Sequence, residues 1–297
     1  MNQSNQKPSH ILVYADETYP PNSIKLFCTN VKNDNPETGF TYLCHNSSGD
    51  TTELLAVIDS LGVAYGYLFV ISEPGVVIHL MKERGIACAE LGDSIMGHGD
   101  FRRALYCIEN IESVTYKTIV RMWQRDHGIS WTIAETDRLV IREQTLSDIP
   151  ALYEIYADED AVRYMEDLYE DPRDEEKYLA DYIKNQYRFY EYGIWAVVTK
   201  EDGKLIGRAG ISMREGFDIP EIGYIIGNRY RKRGYAKEAL TAVIDHAYGE
   251  LGMNELIAFT KEENSPSVLL LKSLGFIMKG YEDIRGGRHA MYSLTKQ

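Results

Sequence analysis

The residues best suited by type and spacing to do chemistry lie in one run: Glu221-Ile-Gly-Tyr224-Ile-Ile226-Gly-Asn-Arg-Tyr-Arg231-Lys232-Arg233-Gly234-Tyr235-Ala236-Lys-Glu-Ala-Leu240. The apolar residues ending at Ile226 read as a strand, the basic residues after it as a loop, and Tyr235 onward as a helix. Amide groups of such a loop and of the first helical turn have no partner within the helix. They point outward and together bind an anion. Gly234 lets the backbone approach a phosphate closely, and the small Ala236 keeps the first turn uncrowded. Arg231, Lys232 and Arg233 bring positive charge to the place where a diphosphate would sit. On its own, Arg-x-x-Gly-x-Ala reads first as a solvated basic loop with a glycine at a helix start.

Several elements must hold that run in place. A helical-looking stretch ends near Arg125, and the alternating Arg138-Leu139-Val140-Ile141-Arg142 reads as a new strand. The spacing therefore predicts two domains, 1–130 and 131–297, of ordinary size for a 297-residue chain. In the second, Asp148 is expected to cap a helix through Leu152 and Ile155. Another helix covers roughly Glu175 to Tyr190. Two strands, around Trp195 to Val198 and Leu205 to Gly207, flank an Asp202-Gly203 hairpin signal. Glu221 to Ile226 is a strand, and Tyr235 to Tyr248 an amphipathic helix with Ala239, Leu240, Val243 and Ala247 on one side. A strand at Leu256 to Phe259, a helix at Pro266 to Leu274, and strands near Ile277 and Met291 complete the chain.

Three separated motifs now fall into one order. Thr136-Asp-Arg-Leu-Val-Ile-Arg142, the Arg231-x-x-Gly234-x-Ala236 loop, and Asn264-Ser-Pro-Ser267 followed by Leu274-Gly275-Phe276 come in the expected order, and the match covers about Thr136 to Leu294. Together they resemble the GNAT N-acetyltransferases, in the RimJ/RimL-like branch. The resemblance implies a GNAT fold with a mixed, splayed central sheet and acetyl-CoA as co-substrate. The strand holding Tyr224 to Ile226 would diverge from the next one, and its freed backbone groups would pair with the pantetheine arm, as in strand addition. The loop through Tyr235 would grip the diphosphate, and Asn264 with Ser267 would anchor the cofactor. Asn264 fits a helix N-cap as well.

The same resemblance points to mechanism. An alkylammonium acceptor has a pKa of roughly 10 and needs a base, direct or through water. Glu221 stands about where several relatives place a catalytic glutamate, although a strand-end glutamate is as often merely solvated or paired. Many relatives carry a tyrosine seven residues after the asparagine as an acid for the departing thiolate. Here that position is Leu271. Tyr281 and Ser267 are weak substitutes, and a thiol pKa of about 8.5 makes departure tolerable without an acid. No His/Cys/Asp cluster of metal-ligand spacing occurs in this half, so no metal is implied. On the acceptor side the chain carries Asp158, Glu159, Asp160, Glu166, Asp167, Glu170, Asp171, Asp174, Glu175 and Glu176 against Arg163, Arg173 and Lys177. Such a run is ordinarily a solvated helical face, but it also suits an amine-bearing, cationic acceptor.

The first domain alternates strand and helix: Ile11 to Tyr14, Glu53 to Leu61, Tyr67 to Ile71, Val76 to Arg84 ended by Gly85, then Ile86 to Ala89. That pattern implies a Rossmann-like α/β domain with a parallel sheet, so the whole chain reads as α/β (α+β). Tyr14-Ala-Asp16-Glu-Thr18 resembles a damaged D-x-D-x-T motif of haloacid-dehalogenase (HAD-like) phosphatases, with Ser72 at the second motif and Asp93, Ser94 and Asp100 loosely at the third. Tyr14 replaces the nucleophilic aspartate and cannot form an acyl phosphate. Gly97-His-Gly99-Asp-Phe-Arg102 fails as a dinucleotide fingerprint because Arg102 stands at the third glycine. A non-catalytic module is expected, for homodimer formation, acceptor shaping or small-ligand sensing.

Composition narrows the rest. With 44% hydrophobic and 26% charged residues the chain is globular, and a net charge of −13 repels phosphate backbones and argues against nucleic acid. The polar start and the short apolar runs, the longest from Val63 to Ile71, predict no signal peptide and no membrane span; the cytoplasm is the expected compartment. Cys28, Cys44, Cys88 and Cys107 form no CxxC pair and read as buried free thiols. Asn46 to Ser48 is a sequon only in a secreted chain, and His45, His79 and His98 lack partners at ligand spacing. Three functions remain open: an amine N-acetyltransferase, an acetyl-CoA-binding sensor, and a bifunctional enzyme with residual phosphatase activity.

Overall fold

Unbroken apolar runs mark strands that are covered on both faces, and alternating ones mark strands covered on one. The chain has both kinds, in different places. The computed structural model describes residues 6–17, 19–45, 51–73, 76–92, 106–157, 167–284 and 286–296. Outside them lie Thr18, the sequon, Asp93, Ser94, the stretch from Gly97 to Arg102, and the acids Asp158, Glu159, Asp160 and Glu166 with Arg163. Two compact units result, Met1–Trp131 and Thr132–Gln297. Trp131 goes with the first: it is buried, its indole donates to the Arg121 carbonyl at 2.9 Å, and Arg125 stacks on it at 4.1 Å. No helix among the described residues is long and apolar enough to cross a membrane.

The first unit runs β1 (His10–Asp16), α1 (Pro21–Asp34), β2 (Gly39–His45), α2 (Thr52–Ser60), β3 (Leu68–Ser72), α3 (Val76–Glu83), β4 (Ala87–Leu91), β5 (Cys107–Ile108) and α4 (Tyr116–Asp126). The five strands are all parallel, in the order β2-β1-β3-β4-β5. This is the flavodoxin-like doubly wound order. Every residue of β3 and β4 is buried. One face packs Ile24, Phe27 and Val31 of α1 with Ile119, Met122 and Trp123 of α4; the other packs Leu54 and Ile58 of α2 with Ile78 and Met81 of α3. The sequence reading omits α1 and β2. The reason is visible in β2, whose residues are half-buried or exposed at the sheet edge and carry no continuous apolar run.

The second unit comprises β6 (Thr132–Glu135), β7 (Leu139–Arg142), α5 (Ile149–Tyr156), α6 (Pro172–Tyr182), β8 (Ile194–Thr199), β9 (Leu205–Ser212), β10 (Glu221–Ile226), α7 (Tyr235–Gly249), β11 (Glu255–Thr260), α8 (Ser265–Ser273), β12 (Ile277–Ile284) and β13 (Gly287–Thr295). Its sheet has the order β12-β13-β11-β10-β9-β8-β7-β6, antiparallel except for β10 beside β11. The expected apolar side of α7 (Ala239, Leu240, Val243, Ala247) is wholly buried against Leu139, Ile141, Trp195, Val197 and Ile222. Burying each large side chain of this kind contributes about 1.5–3 kcal/mol.

One local expectation is corrected. Asp148 is not a simple side-chain cap for α5: its carboxylate turns back to accept from the Thr145 amide at 2.8 Å and from both Arg142 guanidinium nitrogens at 2.7 Å. Thr145 is the cap, in a reciprocal capping box around the turn Leu146–Asp148. The helix after α6 likewise differs from an ideal one. It widens into a π turn at Ile183–Tyr187, which carries the Tyr187 hydroxyl to the Ile194 carbonyl at 2.5 Å and so fixes the start of β8.

Candidate active site

A parallel pair of strands normally exchanges hydrogen bonds along its whole length, and β10 with β11 does not. Strand β10 pairs with β9 at all six residues, and β11 with β13 at all six. Between them the ladder has one registered pair, Glu221 with Ile257, plus a bond from the Ile257 amide to the Pro220 carbonyl at 2.9 Å. Beyond that pair the strands part. Among the described residues the inner backbone edge of residues 222–226 has no strand partner, and Tyr224 and Ile226 lie on it.

The loop after β10 leads into this gap. Asn228–Tyr230 makes one tight turn, Arg231 donates through Nε to the Ile226 carbonyl at 3.2 Å, and Lys232 and Gly234 both have positive φ, +60° and +83°. Alternation of positive and negative φ along the loop turns successive amides toward one side, as in an anion nest. Helix α7 then starts at Tyr235, and its first intrahelical acceptor is the Gly234 carbonyl, from the Glu238 amide at 3.1 Å. The amides of Tyr235, Ala236 and Lys237 are thus the open donors at the helix start, joined to the loop.

A clamp that the sequence reading misses fixes this loop from behind. Arg138 donates to the Arg233 carbonyl at 3.0 Å, stacks over the Tyr235 ring at 4.4 Å, and pairs with Glu238 at 2.5 Å. Glu238 also accepts from the Thr136 hydroxyl at 2.6 Å and the Arg138 amide at 3.0 Å. Burial pushes the Glu238 carboxyl up, but the bonds from Thr136 and Arg138 outweigh it and hold its pKa below the usual range. An acidic residue in the first turn would otherwise repel an anion there; here its charge is matched by Arg138.

On the far side of the gap, Asn264 caps α8, its side-chain oxygen accepting from the Ser267 amide at 3.3 Å. The Ser267 hydroxyl meets the Tyr224 hydroxyl at 3.0 Å, so a side chain of β10 and one of α8 join across the diverging strands. Burial raises the Tyr224 phenol, with Ser267 and Arg231 opposing. Glu221, at the vertex, is 9% exposed, and Arg214 grips its carboxylate at 2.6 and 3.1 Å. Leu271 is a buried core residue, packed with the α7 side chains. Tyr281 bonds Glu262 and carries Arg288 over its ring at 3.7 Å.

A family model described as an acetyltransferase (GNAT) domain matches residues 138–277. YnaD of Bacillus subtilis (strain 168), an uncharacterized N-acetyltransferase, is 30% identical over 146 residues, 49% of this chain and 83% of that protein. The chain belongs to the GNAT acetyltransferase family. The uncharacterized N-acetyltransferase p20 of Bacillus licheniformis is 28% identical over 156 residues, covering 51% of this chain and 88% of its own. A solved GNAT-family acetyltransferase from Bacillus anthracis aligns at 23% identity with a TM-score of 0.47, covering 54% of this chain and 96% of that one. The GNAT unit is accordingly an acyltransferase, an N-acetyltransferase by family.

Within the GNAT unit the acidic run divides into different kinds of carboxylate. Asp171 caps α6 and pairs with Arg173 at 2.8 Å, which holds its carboxyl below the usual range; Asp174 pairs with Lys177 at 2.9 Å. Glu175 is buried and accepts from the Tyr169 amide at 3.1 Å. Asp167 and Glu170 are exposed and have no ion-pair partner among the described residues. Only these last two, with Glu176, remain as outward negative charge in the described part of the run.

Proposed function

We propose that the GNAT unit transfers an acetyl group from acetyl-CoA to a primary amine, a small cationic amine or a peptide N-terminus, by direct attack. The observation that carries this reading is the parting of β10 from β11 after a single pair, with the basic nest of residues 231–236 at its open end. Bound acetyl-CoA would supply the activated acetyl group as a thioester. The backbone edge of Tyr224 and Ile226 would pair with the pantetheine arm, Arg231, Lys232, Arg233 and the amides through Ala236 with the diphosphate, and Asn264 and Ser267 would anchor the arm from α8. Backbone N–H groups of the parted strand would also stabilise the developing oxyanion.

Glu221 is the base in this reading, directly or through a water, and an arriving ammonium would compete with Arg214 for its carboxylate. Replacing Glu221 with Gln should lower kcat/KM by about 10²–10⁴-fold, the usual contribution of general base catalysis. Neutralising Asp167 and Glu170 should raise KM for the amine and leave that for acetyl-CoA alone; an unchanged amine KM would remove the cationic acceptor from the reading.

The decisive test is calorimetric titration of the full chain with coenzyme A, followed by thiol release from acetyl-CoA over an amine panel. Gly234→Glu, which sets a carboxylate in the nest, should weaken association by about tenfold or more. Association that survives this change would sink the assignment of the loop. Binding without turnover on any amine would instead favour an acetyl-CoA sensor, a reading that the buried Leu271, in place of an acid, supports.

A further inference from the structure

The acetyl-transfer reading uses nothing of the first unit, yet the carboxyl edge of its parallel sheet carries polar groups that the fold itself does not employ. In a doubly wound sheet the crevice opens outside the carboxyl ends of the strands where their order reverses, here between β1 and β3. On the face covered by α2 and α3, alternate residues Leu12, Val70 and Cys88 belong to the core. The next residues on that face are Tyr14, Ser72 and Glu90, joined in register across β1, β3 and β4. One step further lies Asp16, in register with His45. Glu73 follows β3; its carboxylate accepts from the Asp16 amide at 3.2 Å and lies 3.2 Å from the His45 ring nitrogen.

Glu90 and Ser72 are the informative pair. Glu90 is 7% exposed and Ser72 1%, and neither side chain has a hydrogen-bond or ion-pair partner among the described residues. Burial alone acts on the Glu90 carboxyl and pushes its pKa up. A buried carboxylate with no partner weakens the fold and gives nothing back to it. Such a group is accounted for where something other than the fold completes it. Three carboxylates along this edge (Asp16, Glu73, Glu90), with one histidine beside Glu73, would repel an anion and attract a cation.

We propose that this edge of the first unit binds a small organic cation, a primary ammonium or guanidinium, which donates hydrogen bonds to Glu90 and Ser72 in the negative field of Asp16 and Glu73. Agmatine, which carries both groups, is the probe. Added to the full chain, it should slow amide hydrogen exchange in residues 68–72 and 87–91. Glu90→Gln keeps the shape and removes the charge. It should leave the melting temperature of the ligand-free protein unchanged or higher, while agmatine affinity falls about tenfold, the loss expected for one charge-assisted hydrogen bond. Glu90→Asp, which keeps the charge on a shorter stem, should retain part of the binding. The proposal is overturned if agmatine does not bind, or if protection appears only within residues 132–297. It is equally overturned if Glu90→Gln binds like the parent, or if that change sharply lowers the melting temperature and thereby shows Glu90 to be structural.

Discussion

At Gly234 the backbone lies at φ +83°, and a side chain there would sit 3.4 Å from the Arg138 guanidinium. Gly234→Ala should therefore strain the loop by about 1–3 kcal/mol and raise KM for acetyl-CoA, while KM for the amine stays put. Arg138→Ala removes the clamp rather than the nest and should do the same more weakly. It also leaves Glu238 as an unmatched charge in the first turn of α7. The sign of the pH effect follows from Glu238. Its folded pKa is depressed, so its contribution is present above its unfolded pKa of about 4.3 and is lost as pH falls through the lower folded value. Acid unfolding of Arg138→Ala should show less of this loss than the parent. The loop itself was legible because its residues are contiguous. The clamp was not: Arg138 and Glu238 are 100 positions apart, and no local pattern announces that they meet.

Elements were legible to the extent that packing repeated a local period. Helix α7 buries the four residues its spacing selects, whereas Asp148 went to Arg142 and Thr145 because a capping box offered more partners than a lone cap. The acidic run could not be sorted residue by residue for a related reason, since composition cannot distinguish Glu175, turned inward under Tyr169, from Glu170, turned outward. Two substitutions test how the elements hold the sheet. Tyr187→Phe takes away the hydroxyl that accepts from the buried Gln144 amide at 3.2 Å and leaves the Ile194 carbonyl with Gln144 Nε2 as its side-chain donor; it should cost about 1–3 kcal/mol, measured by denaturant unfolding. Gly207→Ala would set a methyl 2.1 Å from the Ile225 carbonyl, between β9 and β10. Overpacking of that kind should cost about 1–3 kcal/mol, and it should weaken coenzyme A binding as well because it displaces the strand that borders the gap.

Across the whole chain, each unit has its own core, and a protein built this way is not expected to unfold in one step. Differential scanning calorimetry should resolve two transitions, or a calorimetric enthalpy above the van't Hoff value. Coenzyme A should raise only the transition that belongs to residues 132–297, by mass action. A single transition displaced as a whole would contradict this. Net charge adds a second test: a basic loop on a chain of net charge −13 attracts a diphosphate locally against a repulsive surround, so affinity for coenzyme A should vary only modestly with added salt.

The parting of β10 from β11 also has a kinetic consequence. Strands β9 and β13 hold the two by their outer edges, so the opening belongs to the ground state, and no ladder bond must break before a ligand enters. In stopped-flow mixing the observed rate of coenzyme A association should rise in proportion to ligand concentration. A plateau at high concentration would reveal a slow opening step that this arrangement of strands does without.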